Sequence, residues 1–94
     1  EYNRSIPGVL KNALDHGSRP FGHNVWAEKP AGIMGISPGS TGTAMCQQHL
    51  RNVLSALDVS NLCQQEAYIR MQDGLFEEDG CIIPTHLIKK FLHR

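Results

Sequence analysis

Apolar side chains recur at helical spacing in two stretches of the chain. The first stretch follows Pro7, which suits the first position of a helix because the first turn has no use for its missing N–H. Its apolar positions are Ile6, Val9, Leu10, Ala13 and Leu14. The second stretch runs from about Thr43 to Leu57. Its apolar positions are Cys46, Leu50, Val53, Leu54 and Leu57. Each pattern predicts an amphipathic helix with one buried face.

The segment between these helices lacks polar alternation. It runs from Lys29 to Ser37, and Pro30 would occupy the first position of a strand, where a missing donor is tolerated. Apolar and small residues without alternation are typical of a strand buried on both faces, and therefore of a parallel sheet. Gly32 and Gly35 would let helices approach this strand closely.

Residues 65–71 predict a second, shorter strand, and Pro84 is expected to begin a last helix. The buried face of that helix would contain Leu87, Ile88, Phe91 and Leu92. Helix, strand, helix, strand, helix is the alternation of the α/β class. Residues 1–5 are polar and lead straight into a helix, and in α/β proteins such a segment lies at the carboxyl edge of the sheet, where ligands bind.

Composition excludes several classes of function. The 94 residues allow at most one small domain, and nine basic against nine acidic residues give a formal net charge of zero. No basic surface for nucleic acid or an anionic membrane is therefore expected, and no apolar stretch approaches the roughly 20 residues that span a bilayer. Three widely spaced cysteines form no disulfide framework, which favours a cytoplasmic location.

The opening residues, Glu1–Asp15, read E-Y-N-R-S-I-P-G-V-L-K-N-A-L-D. They resemble the signature E-Y-N-x-S-x-P-G-x-L-K-N-A-x-D of the NAD(P)H-dependent FMN reductases, the flavodoxin-like family that includes quinone, azo-dye and chromate reductases. The resemblance is specific because the fixed positions match in register. It continues through Ser37–Thr43 and Gln47–Arg51, and more loosely through Gln65–Ile69 and Leu75–Gly80.

The resemblance implies an α/β fold, a flavodoxin-like doubly wound parallel sheet with strand order 2-1-3-4-5. Residues 1–94 would form the carboxyl-terminal part of one such domain, about half of it, with the last two strands side by side. The family holds the FMN phosphate on a G-S-x-R-x-x-S loop at a helix N-terminus, and nothing in this chain substitutes for that loop. The chain is either the carboxyl half of a longer protein or a truncated copy. We expect it to bind FMN weakly or not at all when isolated.

The resemblance also implies the cofactors FMN and NAD(P)H. One loop would line the pyrimidine edge of the flavin ring, and the next loop would approach from the carboxyl end of the first strand. The residues expected to bind the cofactor are Glu1, Tyr2, Asn3, Ser37, Pro38 and Gly39. Without the resemblance, the pattern would be interpreted differently. Tyr2 and Asn3 would be ordinary turn residues, and residues 37–43 would merely join a strand to a helix. No catalytic side chain is expected, because the hydride chemistry belongs to the cofactor.

The function implied by the resemblance is hydride transfer from NAD(P)H through FMN to a small-molecule acceptor: a quinone, an azo compound, a metal oxyanion or free flavin. The alternative is a truncated relative that binds no flavin and serves as an interaction module. No nucleic-acid or membrane partner is expected. The resemblance further implies a homo-oligomer in which Gln47, Gln48 and His49 face a neighbouring protomer.

Two other features are candidate sites in the sequence. Cys46 and His49 form a Cys-x-x-His pair, but structural zinc sites need four ligands, usually in two close pairs, and Cys63 and Cys81 are isolated. We therefore predict a buried thiol and no metal site. Trp26 lies in a loop, where a Trp more often anchors packing than stacks on a flavin.

Overall fold

The computed structural model describes residues 1–64 and 66–74. Helices and strands alternate along the chain, which confirms the predicted α/β class. The elements are α1 (Gly8–Gly17), β1 (Pro30–Ala31), β2 (Met34–Ser37), α2 (Ala44–Ala56), β3 (Ser60–Asn61) and β4 (Ala67–Arg70). The helix predicted from Pro84 lies outside the described residues.

The strands form two parallel pairs. β2 pairs with β4 over four residues, from Met34 opposite Ala67 to Ser37 opposite Arg70. β1 pairs in the same sense with β3. Parallel neighbours need a crossover connection, and α2 supplies the helical part of it. The two predicted strands therefore lie side by side, as expected.

The predicted first strand is divided into β1 and β2. The interruption falls at Gly32 and Ile33, and each half has a different partner strand. Gly32 has no side chain to pack, which weakens a strand interior. The partner of β1 is the dipeptide Ser60–Asn61, which the pattern did not predict because two polar residues give no apolar signal.

Helix α1 begins at Gly8, one position later than predicted, because Pro7 has extended backbone (φ −59°, ψ 143°) and acts as the N-cap. The carbonyl of Pro7 accepts hydrogen bonds from the amides of Leu10 and Lys11. At the other end, the indole Nε1 of Trp26 donates to the carbonyl of Leu14 at 2.9 Å. This bond satisfies a carbonyl of the last turns and confirms the predicted anchoring role of Trp26.

The apolar stripe predicted on α1 is mostly exposed. Leu14 is its buried member, whereas Val9 is 81% exposed and Leu10 is 39% exposed. The prediction of a buried face is therefore wrong for most of this helix as the structure describes it. Periodicity identifies an apolar stripe but does not show what covers it.

Helix α2 packs against β2 and β3. Cys46 and Leu54 are buried, and the other three positions of its predicted apolar face are half-buried, which confirms that face. The register of the sheet puts Gly35 and Ser37 on one face and Met34 and Ile36 on the opposite face.

The expected burial of the first predicted strand on both faces is wrong within the described part of the chain. Met34 is 60% exposed and Ile36 is 40% exposed. Gly35, on the other face, lies under the first turn of α2. Across residues 1–64 and 66–74, no helix combines the length and apolarity needed to cross a bilayer.

Candidate functional site

Residues 2–5 form a tight turn at the start of the chain. The amide of Tyr2 donates to the carbonyl of Ser5 at 2.8 Å, and the amide of Ser5 donates to the carbonyl of Tyr2 at 3.1 Å. The two central residues, Asn3 (φ 48°) and Arg4 (φ 66°), have left-handed backbone. This is the geometry of a two-residue type I′ turn, which Asn adopts readily and Arg does not. Tyr2, the first residue of the turn, is 71% exposed.

This turn is attached to the amino end of α2 at two points. A carboxylate oxygen of Glu1, Oε2, accepts a hydrogen bond from the amide of Cys46 at 3.4 Å. On the far side of the turn, the hydroxyl of Ser5 lies 2.8 Å from Nδ1 of His49. Cys46 and His49 belong to the first two turns of α2.

A second loop leads from β2 into α2. Ser37 ends β2, and its carbonyl accepts a hydrogen bond from the amide of Met71 at 2.7 Å. Its hydroxyl is buried and has no hydrogen-bond partner among the described residues. Within the described part of the chain, a Cβ added at Gly39 would meet no heavy atom nearer than that hydroxyl, at 3.7 Å. The backbone of Gly39 is therefore accessible to a ligand.

The end of this loop is fixed to β4 and to the first turn of α2. Gly42 has left-handed backbone (φ 56°), and a Cβ there would lie 2.7 Å from the carbonyl carbon of Tyr68. Nε2 of Gln47 donates to Oγ1 of Thr43 at 2.9 Å and to the carbonyl of Ala67 at 2.8 Å. These contacts hold the loop between helix and strand.

Gln47 is 2% exposed. The prediction that Gln47 faces a neighbouring protomer is therefore wrong, because its side chain is used inside the chain. Gln48 and His49 are exposed, as that prediction requires of them.

Both predicted loops lie at the same end of α2. Glu1, just before the turn, contacts the first turn of this helix, and the loop from Ser37 leads directly into it. The helix has no acidic residue of its own in the first turn. The site thus combines a positive helix end with the carboxyl edge of a parallel strand pair, a common place for ligands in α/β proteins.

The residues at the carboxyl edge of the strand pair have the hydrogen-bonding groups that the polar edge of a flavin ring would need. Such a ring needs hydrogen-bond donors and acceptors and backbone close enough to reach them. The buried hydroxyl of Ser37 is unpaired within the described part of the chain, and Gly39 leaves its backbone open. In the other predicted loop, Tyr2 presents an exposed aromatic side chain.

A groove of about 440 Å³ lies beside the turn. Its lining residues are Arg4, Ala44, Met45, Gln48 and His49. Met45 has no local sequence signal of a site, because a half-exposed Met in a helix is ordinary. Its place at the groove depends on the turn being attached to α2.

Cys46 and His49 have different surroundings in the structure. The Cys46 thiol is buried and free, whereas the His49 ring faces Ser5. In residues 1–64 and 66–74, no three His, Cys, Asp or Glu side chains cluster as metal ligands.

A polar cluster joins Gln48 of α2 to Tyr68 of β4 and to Glu66. The hydroxyl of Tyr68 donates a hydrogen bond to the carboxylate of Glu66 and accepts one from Nε2 of Gln48 at 3.1 Å. The bond to Glu66 raises the pKa of Tyr68 above its ordinary value, because the phenolate could not donate it. This cluster borders a cavity of about 460 Å³ with Arg51 in its wall.

Comparison with known proteins identifies close relatives. The family described as NADPH-dependent FMN reductase matches residues 1–73. A 2-hydroxy-1,4-benzoquinone reductase from a Burkholderia species is 51% identical over 83 residues, covering 88% of this chain and 45% of the relative. An NAD(P)H-dependent FMN reductase from Pseudomonas aeruginosa is 45% identical over 83 residues, covering 88% and 44%.

Among solved structures, the flavoenzyme NAD(P)H:(acceptor) oxidoreductase FerB from Paracoccus denitrificans superposes with a TM-score of 0.89 at 41% identity. The superposition covers 98% of this chain and 50% of that one. It confirms the predicted flavodoxin-like fold. The chain spans about half the length of the relatives it matches.

Proposed function

The chain belongs to the NADPH-dependent FMN reductase family, and from that premise we propose that the complete protein is an NAD(P)H-dependent flavoprotein that reduces quinones. The complete protein here means the natural polypeptide that contains this chain. Residues 1–94 would supply the carboxyl-terminal part of one flavodoxin-like domain. Quinones are favoured over azo compounds, metal oxyanions or free flavin because a relative 51% identical is named a benzoquinone reductase.

One structural observation supports this proposal more than any other. Ser37, where β2 ends and the loop into α2 begins, carries a buried hydroxyl without a partner in the described residues, and it stands at the carboxyl edge of β2. A buried polar group is normally hydrogen-bonded, so an unpaired one at a ligand-binding edge is available to bind a ligand. The family's cofactor has polar groups of the matching kind.

FMN, when bound, supplies the hydride-accepting and hydride-donating chemistry of the reaction. The role of the chain is to bind and orient it. We assign the binding of the ring to the backbone of residues 1–3 and to the loop formed by Ser37, Pro38 and Gly39. Tyr2, exposed at the base of its turn, would cover part of the ring and exclude water from it. No side chain of the chain needs to move a proton in the hydride step.

We also propose that the complete protein is cytoplasmic and homo-oligomeric. Two observations support this. Cys46 and Cys63 are free thiols, which suits a reducing compartment. Gln48 and His49 are exposed beside the groove at the turn, where a second protomer could approach the site.

The test is NAD(P)H oxidation by the complete protein. Purified protein should carry FMN, and adding 1,4-benzoquinone should oxidise NADPH or NADH in proportion to the enzyme present. The matched controls are the protein stripped of FMN and the reaction without quinone. NAD(P)H oxidation should be slow in both controls. Protein that binds no FMN would contradict the proposal and favour the flavin-free interaction module. Bound FMN with activity toward azo dye or chromate but not quinone would contradict the choice of acceptor.

A further inference from the structure

The side chain of Glu1 makes a hydrogen bond within the chain. Residues 1–3 are expected to meet the flavin, yet the Glu1 carboxylate points to α2 and accepts the amide of Cys46. A carboxylate near a helix N-terminus is stabilised by the positive end of the dipole and by the amides that lack intrahelical partners.

Helix α2 needs such an acceptor because its own N-cap does not provide one. Thr43, the N-cap residue, makes no side-chain capping bond and has left-handed backbone (φ 71°). Its hydroxyl instead accepts from Gln47. Glu1 therefore takes over part of the capping role from a position 45 residues away in the sequence.

A second contact holds the other side of the same turn. Ser5 is the last residue of the turn, and its hydroxyl meets Nδ1 of His49 at 2.8 Å. Glu1 precedes the turn and Ser5 closes it, and each is bonded to α2. The left-handed backbone of Asn3 and Arg4 is thus fixed relative to the helix from both ends.

We propose that Glu1, Ser5 and His49 are positioning residues. Their two contacts hold the Tyr2–Ser5 turn against α2, so that the backbone of residues 2 and 3 stands ready for the flavin edge before the cofactor arrives. This inference rests on the proposed function. Fixing a binding loop in its bound conformation strengthens binding because less ordering remains for the ligand to impose.

The contacts themselves are tested in the complete protein without FMN, by hydrogen exchange of the peptide that contains residues 1–5. Glu1→Ala and Ser5→Ala should each speed exchange of the turn amides by roughly threefold to tenfold, as expected for losing one cap or one hydrogen bond. The control is Asn52→Gly, at an exposed position of α2, which weakens the helix without touching the turn. Exchange in the turn that is unchanged in both variants, or changed equally by Asn52→Gly, would overturn the proposal.

The consequence for the cofactor is tested by titrating the same variants with FMN and following flavin fluorescence. The dissociation constant should rise by roughly threefold to tenfold in Glu1→Ala and Ser5→Ala and stay at the wild-type value in Asn52→Gly. Glu1→Gln should fall between wild type and Glu1→Ala, because the amide oxygen still accepts but carries no charge.

The outcomes separate the two proposals. Faster exchange with unchanged FMN affinity would overturn the positioning role while leaving the proposed function intact. Failure of the unaltered protein to bind FMN would overturn the proposed function and the role of the turn in cofactor binding with it. The exchange measurement would still report whether the two contacts hold the turn.

Discussion

Ser37 shows how a single side chain links strand geometry to the proposed chemistry. Its position as the last residue of β2 places it at the carboxyl edge, and its carbonyl is used by the amide of Met71. The hydroxyl remains buried without a partner in the part of the chain that the structure describes. Gly39, two residues further along the loop, lies close to this hydroxyl. A Cβ added at Gly39 would be 3.7 Å from the Ser37 Oγ.

Replacing Ser37 by Leu in the complete protein should lower FMN affinity by about tenfold or more. Extra methylene groups in a tightly filled site typically cost about 1–3 kcal/mol, and Leu also removes the hydroxyl. The measurement is the flavin-to-protein ratio of the purified variant, followed by FMN titration. Ser40→Leu is the matched control, since Ser40 is exposed in the same loop and should leave the ratio unchanged. An unchanged ratio in Ser37→Leu would remove this residue from the site.

At the scale of elements, the packing of α2 on β2 depends on the absence of one side chain. A Cβ at Gly35 would lie 2.1 Å from Oγ1 of Thr43 and 3.2 Å from Nε2 of Gln47. The expected close approach of a helix is therefore confirmed at Gly35. The close approach is not seen at Gly32, where an added Cβ would meet nothing within 4 Å among residues 1–64 and 66–74.

Gly35→Ala should destabilise the complete protein by about 1–3 kcal/mol, because Thr43 and Gln47 would have to shift and both are hydrogen-bonded. Gly32→Ala tests the same chemical change where space is open, and should alter stability by less than about 0.5 kcal/mol. Urea unfolding followed by far-UV circular dichroism measures both. Equal midpoints for the two variants would show that α2 is not seated on Gly35 as described.

The elements that the sequence predicted well are those whose signal is local. Helical periodicity placed the second helix at about Thr43–Leu57, and the structure has it at Ala44–Ala56. The strand β3 and the exposure of Val9 were not predictable in this way. A two-residue polar strand exists only because β1 pairs with it, and exposure depends on what packs against a helix.

The same distinction applies to the candidate site. Family resemblance predicted both loops, but the contacts that attach them to the rest of the chain are mostly long-range. Glu1 and Cys46 are 45 residues apart, Ser5 and His49 are 44 apart, and Gln47 reaches a carbonyl 20 residues on. Such contacts follow from the fold, so the sequence predicted which residues form the candidate site but not what holds them in place.

At the scale of the whole molecule, the exposed apolar side chains are consistent with a domain larger than this chain. Val9 on α1 and Met34 and Ile36 on β2 are the exposed members of faces that the sequence pattern expects to be buried. The chain covers 50% of the FerB chain that it superposes on. In the flavodoxin-like fold, helices lie on both faces of the sheet, and this explains why a strand of such composition has one open face here.

We therefore expect the 94-residue polypeptide, expressed alone, to self-associate or aggregate at low micromolar concentration. Strand β2 pairs with β4 on one side, and its other edge has no strand partner among the described residues. An unpaired edge beside exposed apolar side chains is a template for pairing with another chain. Sedimentation velocity measures the outcome.

Met34→Lys should reduce association, because a charged side chain on an edge strand opposes pairing. The control is Phe21→Lys, at a 91% exposed position outside the strands, which should change association less. A monodisperse monomer that unfolds cooperatively would show that the exposed face of β2 is stable in water without a partner.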